Sequence, residues 1–205
     1  LGYARGHLSL YQLTIEENTQ FHTRAGRGEP LASDSETAAT LYEQTQTLMQ
    51  AAGLPAYEIS NHAAPGQESR HNLAYWHYDD YIGIGAGAHG RFVDGAGIRT
   101  ATVGKKVPEA WLQQVQQQGH GLVECSTIDA ATARREALLM GLRLTTGLSR
   151  AAWQAKFGQD IIVGLDPERV KRLTEEDLLH ITTTHFAATA AGRARLNALL
   201  RYLLG

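Results

Sequence analysis

Residues 7–15, HLSLYQLTI, are rich in Leu, Tyr, Thr and Ile and alternate in part, which predicts a strand buried on both faces. A helix follows, and residues 56–60 read as a second, short strand. Strand, helix and strand in this order predict a right-handed crossover and therefore a parallel sheet. The helix between them is well punctuated. Ser33 and Glu36 stand at capping-box spacing, and Ala38, Leu41, Tyr42, Thr45, Leu48, Met49 and Ala52 form one apolar stripe. Gly53 stops the helix and Pro55 prevents its continuation. Residues 22–33 read as a surface loop, being rich in Gly, Arg and Ser. Ligands of parallel sheets sit at the carboxyl ends of the strands, where Glu16, Asn61 and the loop after Asn61 fall.

Further along, Phe92-Val93 and residues 98–103 flank Asp94-Gly95-Ala96-Gly97, the pattern of a hairpin. Residues 107–118 predict a helix, with Pro108 at its first turn and Gly119 after it. The composition then shifts to Ala, Leu, Arg and Thr, placing a domain boundary between about 104 and 122. Residues 1–120 and 121–205 are therefore expected to be separate domains. Helices are predicted at 128–145, 150–157 and 167–173, then a hairpin at about 178–188. A last helix is capped by Thr189, with Leu196, Leu199, Leu200 and Leu203 on one face. Helices followed by a small hairpin suggest a winged-helix-like arrangement. The fold class expected is α/β with a small, mostly helical C-terminal domain.

Composition narrows the function classes. With 43% hydrophobic and 20% charged residues the chain can bury a core, and disorder is not expected. A net charge of −2 argues against a nucleic-acid partner. No apolar run has the length of a membrane span and no signal peptide is visible, so the cytoplasm is the expected compartment. The single cysteine, Cys125, excludes an internal disulfide and reads as a small hydrophobe of the second domain. Trp111 and Trp153 read as core anchors, and Arg193, Arg195 and Arg201 as solvated. The chain begins at Leu1, not Met, and is expected to be cut from a longer one.

The densest chemistry lies between Tyr57 and Gly90. Four of the nine histidines are here, His62, His71, His77 and His89, with Asn61, Asn72, Trp76 and several tyrosines. The stretch closes on GIGAGA, residues 83–88, which has almost no side-chain bulk. Hydrogen-bonding groups beside a bare backbone suit a flat or nucleoside-like ligand. GIGAGA opens no helix of a strand–helix–strand unit, so a Rossmann reading fails.

Four motifs in order, HLSLYQLTIE, YEISNHA, SRHNLAYW and YIGIGAGAHG, make the chain similar to the C-terminal half of the oxygen-independent coproporphyrinogen III oxidase-like radical-SAM proteins. REALLMGLRLTTGL and ATAAGRARLNALL extend the likeness to the end of the chain. Within this HemW/HemN-like family it most resembles the haem-chaperone branch, HemW, whose HNxxYW pattern stands here as residues 71–76. The resemblance implies a partial (β/α) barrel carrying a 4Fe–4S cluster and S-adenosylmethionine, with a smaller domain appended. It also implies cluster ligands in a CxxxCxxC motif that this chain lacks, so the motif is expected upstream of Leu1 and this chain alone should be inactive. The oxidases decarboxylate two propionates of coproporphyrinogen III. The chaperone branch binds haem and hands it to acceptor proteins. Haem handling is the reading favoured here, with the oxidase reaction and a non-enzymatic interaction module as alternatives.

On that resemblance His71 is a candidate ligand of haem iron, beside Asn72, with Tyr75 and Trp76 stacking on the macrocycle. The bland alternative has His71 and Asn72 tying a loop by hydrogen bonds. Gly83, Gly85 and Gly87 are candidates for backbone approach to S-adenosylmethionine, or else glycines of a tightly packed strand. Thr14 and His89 align with family contacts near the adenosine part. Gln12 and Glu16 near the end of the first strand face a ligand, or form a polar pair satisfying loop backbone. The expected partners are haem or another tetrapyrrole, an acceptor protein and the missing N-terminal half. One thiol cannot replace three cluster ligands. The purified chain is therefore expected to hold no Fe–S cluster after anaerobic reconstitution with iron and sulfide, and a brown product with visible charge-transfer absorption would contradict this.

Overall fold

The computed structural model describes residues 4–205. The chain is mixed α/β and divides into two compact units, one ending at Ser69 and the other spanning Arg70–Gly205.

In the first unit β1 is short, His7–Ser9, and pairs antiparallel with β2, Asn61–Ala63. The long, doubly buried strand over 7–15 and the parallel crossover are thus not what forms. The reason lies in residues 57–60. Ala56 bridges His62 antiparallel, the Tyr57 N–H donates to the Asn61 carbonyl at 3.1 Å, and the chain turns back on itself. The limb that meets β1 is the returning one, so its direction is reversed. The predicted strand at 56–60 is the turn itself. Among the described residues β1 has a single strand neighbour, and after the Leu10 N–H, which donates to the Ser60 carbonyl at 2.8 Å, the chain leaves the ladder with Tyr11 and Leu13 exposed.

Two helices connect these strands. Residues 22–33 are not all loop, because α1 occupies Gln20–Gly26, with the Thr19 side chain accepting from the His22 N–H. α2 is Ser35–Ala51, capped by Asp34 rather than Ser33. The Asp34 carboxylate accepts two backbone N–H bonds and the Thr37 hydroxyl, which hold its pKa below the usual carboxylate range. The predicted apolar stripe is present, but only Met49 is buried, and Leu41 and Leu48 face solvent.

The second unit begins with α3, Arg70–Trp76, where HNLAYW forms two helical turns. β3, His89–Val93, and β4, Arg99–Gly104, make the predicted hairpin. The Asp94 carboxylate accepts from Ala96 N–H and Ile98 N–H, and Gly97 takes the left-handed conformation that the turn needs. α4, Pro108–Gln118, ends at left-handed Gly119, as the sequence indicates. β5, Leu122–Thr127, then joins the edge of β4 antiparallel. Compactness therefore does not follow the change in composition near 104–122, because β5 pairs across it. Cys125 lies exposed on β5, not in a core.

The remaining elements are α5 (Ala130–Gly141), β6 (Leu148–Ser149), α6 (Arg150–Phe157), α7 (Pro167–Glu175), β7 (Leu179–Ile181), β8 (His185–Ala188), α8 (Ala190–Ala194) and α9 (Leu196–Leu204). Helix, strand, two helices and a hairpin, with sheet order β6-β8-β7, give the winged-helix-like arrangement expected. Asp129, Ser149 and Asp166 cap the three helices through side-chain oxygens. Leu138, Leu142, Trp153, Leu173 and Phe186 fill the core, and α9 adds Leu196, Leu199, Leu200 and Leu203. The terminal helix is broken at Arg195, whose φ of −121° is not helical. Arg193 is half-buried and donates to the Ala188 carbonyl at 2.7 Å, so it is a structural tie rather than a solvated charge.

Gly192 sits in α8 where a Cβ would collide with the Leu178 carbonyl oxygen. In an open helix, alanine is better than glycine by about 1 kcal/mol. Here the sign should reverse: Gly192→Ala is expected to lower thermal stability by roughly 1–3 kcal/mol. A raised melting temperature would show that the close approach is not real.

Candidate functional site

The site builds from α3 and the chain that follows it. His71 and Tyr75 stand one turn apart on the helix, so their rings meet edge to face with centroids 4.7 Å apart. Tyr75 meets Tyr81 in the same way at 4.5 Å. The His71 imidazole is exposed, while Asn72, Tyr75 and Trp76 are half-buried. Trp76 has one face occupied by the Arg143 guanidinium, 4.6 Å from the ring centroid, and its indole N–H is buried without a hydrogen-bond partner.

The C-terminal end of α3 carries the most constrained residue in the site. Tyr78 has a φ of 54°, a left-handed conformation that costs a residue with a Cβ about 1–2 kcal/mol. Its ring is buried and its hydroxyl donates to Glu136 at 2.6 Å. Burial and then the Glu136 hydrogen bond push the phenol well above its ordinary pKa, so it stays protonated and donating. Arg91 reaches the same Glu136 through two nitrogens, at 3.2 and 3.3 Å. The Arg99 guanidinium lies 4.6 Å from the Tyr78 centroid, and Phe157 stacks beyond at 6.5 Å. None of these partners was singled out from the sequence. All but Arg91 and Arg99 lie in the helices after residue 128, and only tertiary contact brings them here.

The glycine segment is a turn. Tyr81 pairs with Arg91 of β3, and a Cβ on Gly83 would collide with the His89 backbone. Gly83 is therefore glycine for internal packing. Gly85 and Gly87 have φ of 110° and 72°, and nothing lies within 4 Å of a Cβ built on Gly85. Ile82 and Ile84 project into solvent, and His89 is exposed.

The other candidates lie in the first unit. A cavity of about 430 Å³ there is lined by Gln12, by Leu10, Tyr11 and Leu13, by one side of α2, and by Ile59 and His62. Gln12 uses its amide N–H₂ on the Ala38 carbonyl at 2.6 Å. Thr14 and Glu16 are exposed and do not line the cavity. Next to it the Asn61 amide donates to Glu58 at 2.6 Å and accepts from the Ser9 hydroxyl at 2.5 Å. His62 is fully buried and neither ring nitrogen forms a well-made hydrogen bond. Burial drives its pKa below the ordinary histidine value, with the Leu54 backbone and Glu58 opposing.

The HemN C-terminal domain family matches residues 128–195, the winged-helix-like part. Radical S-adenosyl methionine domain-containing protein 1 of Mus musculus, a mitochondrial protein, is 36% identical over 97% of this chain and 46% of its own length. Heme chaperone HemW of Bacillus subtilis is 33% identical over 97% of this chain and 51% of its own. The chain matches the C-terminal half of HemW/HemN-like proteins. HemW of Escherichia coli agrees, at 35% identity over 97% of this chain and 50% of its own length. The fold is similar to that of coproporphyrinogen III oxidase (HemN) from Escherichia coli, described as a radical SAM enzyme. The TM-score is 0.57 at 16% identity, covering 78% of this chain and 39% of that one. The chain spans about half the length of the curated relatives it matches. Among the described residues no helix is long and apolar enough to cross a membrane.

His62 gives this chain a pH dependence with a definite sign. Its folded-state pKa lies below the unfolded value near 6.5, so the unfolded chain binds the proton more readily. Stability is complete above about pH 6.5 and falls as pH drops through the folded-state pKa. Melting temperatures across this range should decline more steeply for the native chain than for His62→Asn, and parallel curves would refute the assignment.

Proposed function

We propose that this chain is the haem-handling half of a haem chaperone of the HemW kind, with haem as its cargo and His71 as the iron ligand. The observation that carries the reading is an exposed imidazole set edge-on against Tyr75 on a helix held firmly at its other end. A ring nitrogen supplies iron affinity, and Tyr75 offers aromatic area beside it. Trp76 contributes less to the macrocycle than Tyr75 in this reading, because Arg143 already covers one of its faces. Asn72 takes a supporting place next to the ligand. An acceptor protein receives the haem by offering a ligand of its own at the open side of His71.

The relatives' S-adenosylmethionine and 4Fe–4S cluster fit this chain unequally. Cys125 is exposed and alone, and no group of three His, Cys, Asp or Glu among the described residues is placed to hold a metal, so the residues present do not fit a cluster. For S-adenosylmethionine, Gly85 offers open space over its backbone, and Thr14, Glu16 and His89 offer exposed polar groups. Gln12 retains its amide oxygen for a ligand, whereas Gly83 and Gly87 have reasons of packing and conformation to be glycine. The division into a barrel-derived part, 1–120, and a C-terminal domain, 121–205, belongs to this same proposal, as does a cytoplasmic location. The partners proposed are haem, an acceptor protein and the N-terminal half of the same protein. Nucleic acid is disfavoured because α7 pairs its cations internally, Lys171 with Glu175 and Arg172 with Glu176.

In the complete protein, His71→Ala should weaken hemin binding and move the Soret band while leaving the melting temperature nearly unchanged. Exposed substitutions typically cost no more than about 0.5 kcal/mol. Unchanged affinity and spectrum in the folded variant would reject His71 as the ligand. Loss of two carboxyl groups from coproporphyrinogen III by the complete protein would favour the oxidase reading instead.

A further inference from the structure

We infer that Lys156 is the positioning residue that holds the His71 helix in place, a role that rests on the haem reading for its purpose but not for its geometry. α3 is seven residues long, and a helix of two turns does not persist in water by itself. Its order must come from tertiary ties, and one of them lies at its C-terminal end. The Lys156 ammonium, projecting from α6, donates to the His77 carbonyl at 2.8 Å, the Tyr78 carbonyl at 2.6 Å and the Asp79 carboxylate at 3.0 Å. Its three N–H donors therefore all meet acceptors. A cation at this end of a helix also meets the negative end of the helix dipole.

The tie reaches His71 through a short path. Fixing the His77 and Tyr78 carbonyls fixes the last turn of α3, where the His77 N–H donates to the Leu73 carbonyl at 2.8 Å and the Asp79 N–H to the Ala74 carbonyl at 2.9 Å. Tyr75 belongs to that turn, and His71 rests on the Tyr75 ring. Lys156 lies inside the segment that matches the HemN C-terminal domain family, residues 128–195, so that domain acts as the mount for the haem ligand. Lys156 touches no part of the ligand's ring, and its effect on haem is carried by α3 alone. Its side chain is 24% exposed, and Lys156→Met keeps most of the apolar stem while removing the three donors.

The test uses the complete protein carrying Lys156→Met, Lys156→Arg or Asp79→Asn, with ¹³C-labelled histidine and with hemin as the probe. Lys156→Met should move the ring resonances of His71 in the apo protein away from their Tyr75-shifted positions. It should weaken hemin binding about tenfold and broaden or shift the Soret band. Lys156→Arg keeps the charge and donors and should restore most of the affinity. Asp79→Asn removes only the ion pair and should stay within about twofold of the native protein. A lowered melting temperature with His71 resonances and hemin spectrum unmoved would make Lys156 merely structural and overturn the inference. The haem reading is judged separately. If His71→Ala leaves hemin binding intact that reading fails, while the positioning role stands or falls by the His71 resonances of Lys156→Met.

Discussion

The second unit is organised around Tyr78. A buried tyrosine with φ of 54° is a local cost, and it persists because several elements stabilise it at once. The hydroxyl donates to a carboxylate, a charge-assisted bond worth about 1.5–3 kcal/mol, enough to offset a left-handed backbone of comparable cost. Glu136 belongs to α5, and its other partner Arg91 belongs to β3. Arg99 of β4 covers one side of the ring and Phe157 of α6 stacks on it. The carbonyl of the same residue is held by Lys156, also of α6. Two strands and two helices thus converge on Tyr78, in the turn that follows α3. The orientation of α3, and with it of His71, follows from this convergence more than from the preferences of α3 itself.

What was legible in the sequence follows the strength of local signals. The helices expected at 150–157 and 167–173, the second of which runs on to Glu175, are legible because side-chain caps and helical spacing agree there, and the leucine face of α9 is legible from its spacing alone. The Asp94 to Gly97 hairpin was readable because turn chemistry decides it locally. The strand expected at 7–15 does not form in full because β propensity measures fitness for a covered surface, and beyond the Leu10 N–H, which donates to the Ser60 carbonyl at 2.8 Å, the ladder does not continue along this segment. The parallel crossover misled because the reversal at 57–60 depends on Glu58 accepting from the Ser60 N–H and Asn61, a detail that strand periodicity does not carry. β5 is not legible in the sequence because LVECST is largely exposed and has no alternation to reveal it.

The site divides along the same line. His71 and Tyr75 were recognisable by residue type, and their one-turn spacing makes them neighbours once α3 is known to be helical. Their supports were not recognisable, since Lys156 is 79 residues from His77 and Glu136 is 58 from Tyr78. The glycines were legible as unusual but not by cause. Gly83 answers to the His89 backbone, and Gly85 and Gly87 to positive φ, so only the open space over Gly85 is left unexplained by the fold.

A carrier faces a physical conflict between holding its cargo and releasing it. Burying an iron ligand among satisfied partners makes binding tight and exchange slow, because release then needs the protein to open. Leaving the ligand exposed on an unsupported two-turn helix has the opposite fault, since the ordering entropy of that helix is subtracted from every binding event. The geometry around α3 separates the two demands. On the proposal that His71 is the iron ligand, the imidazole stays in solvent, where a competing ligand would approach the iron directly, while the ordering cost would be met away from the cargo by Lys156, Glu136 and the Tyr78 ring. Preorganisation at one end of the helix and access at the other is an arrangement suited to transfer, and it gives the C-terminal domain a mechanical reason to stay joined to the segment that carries His71.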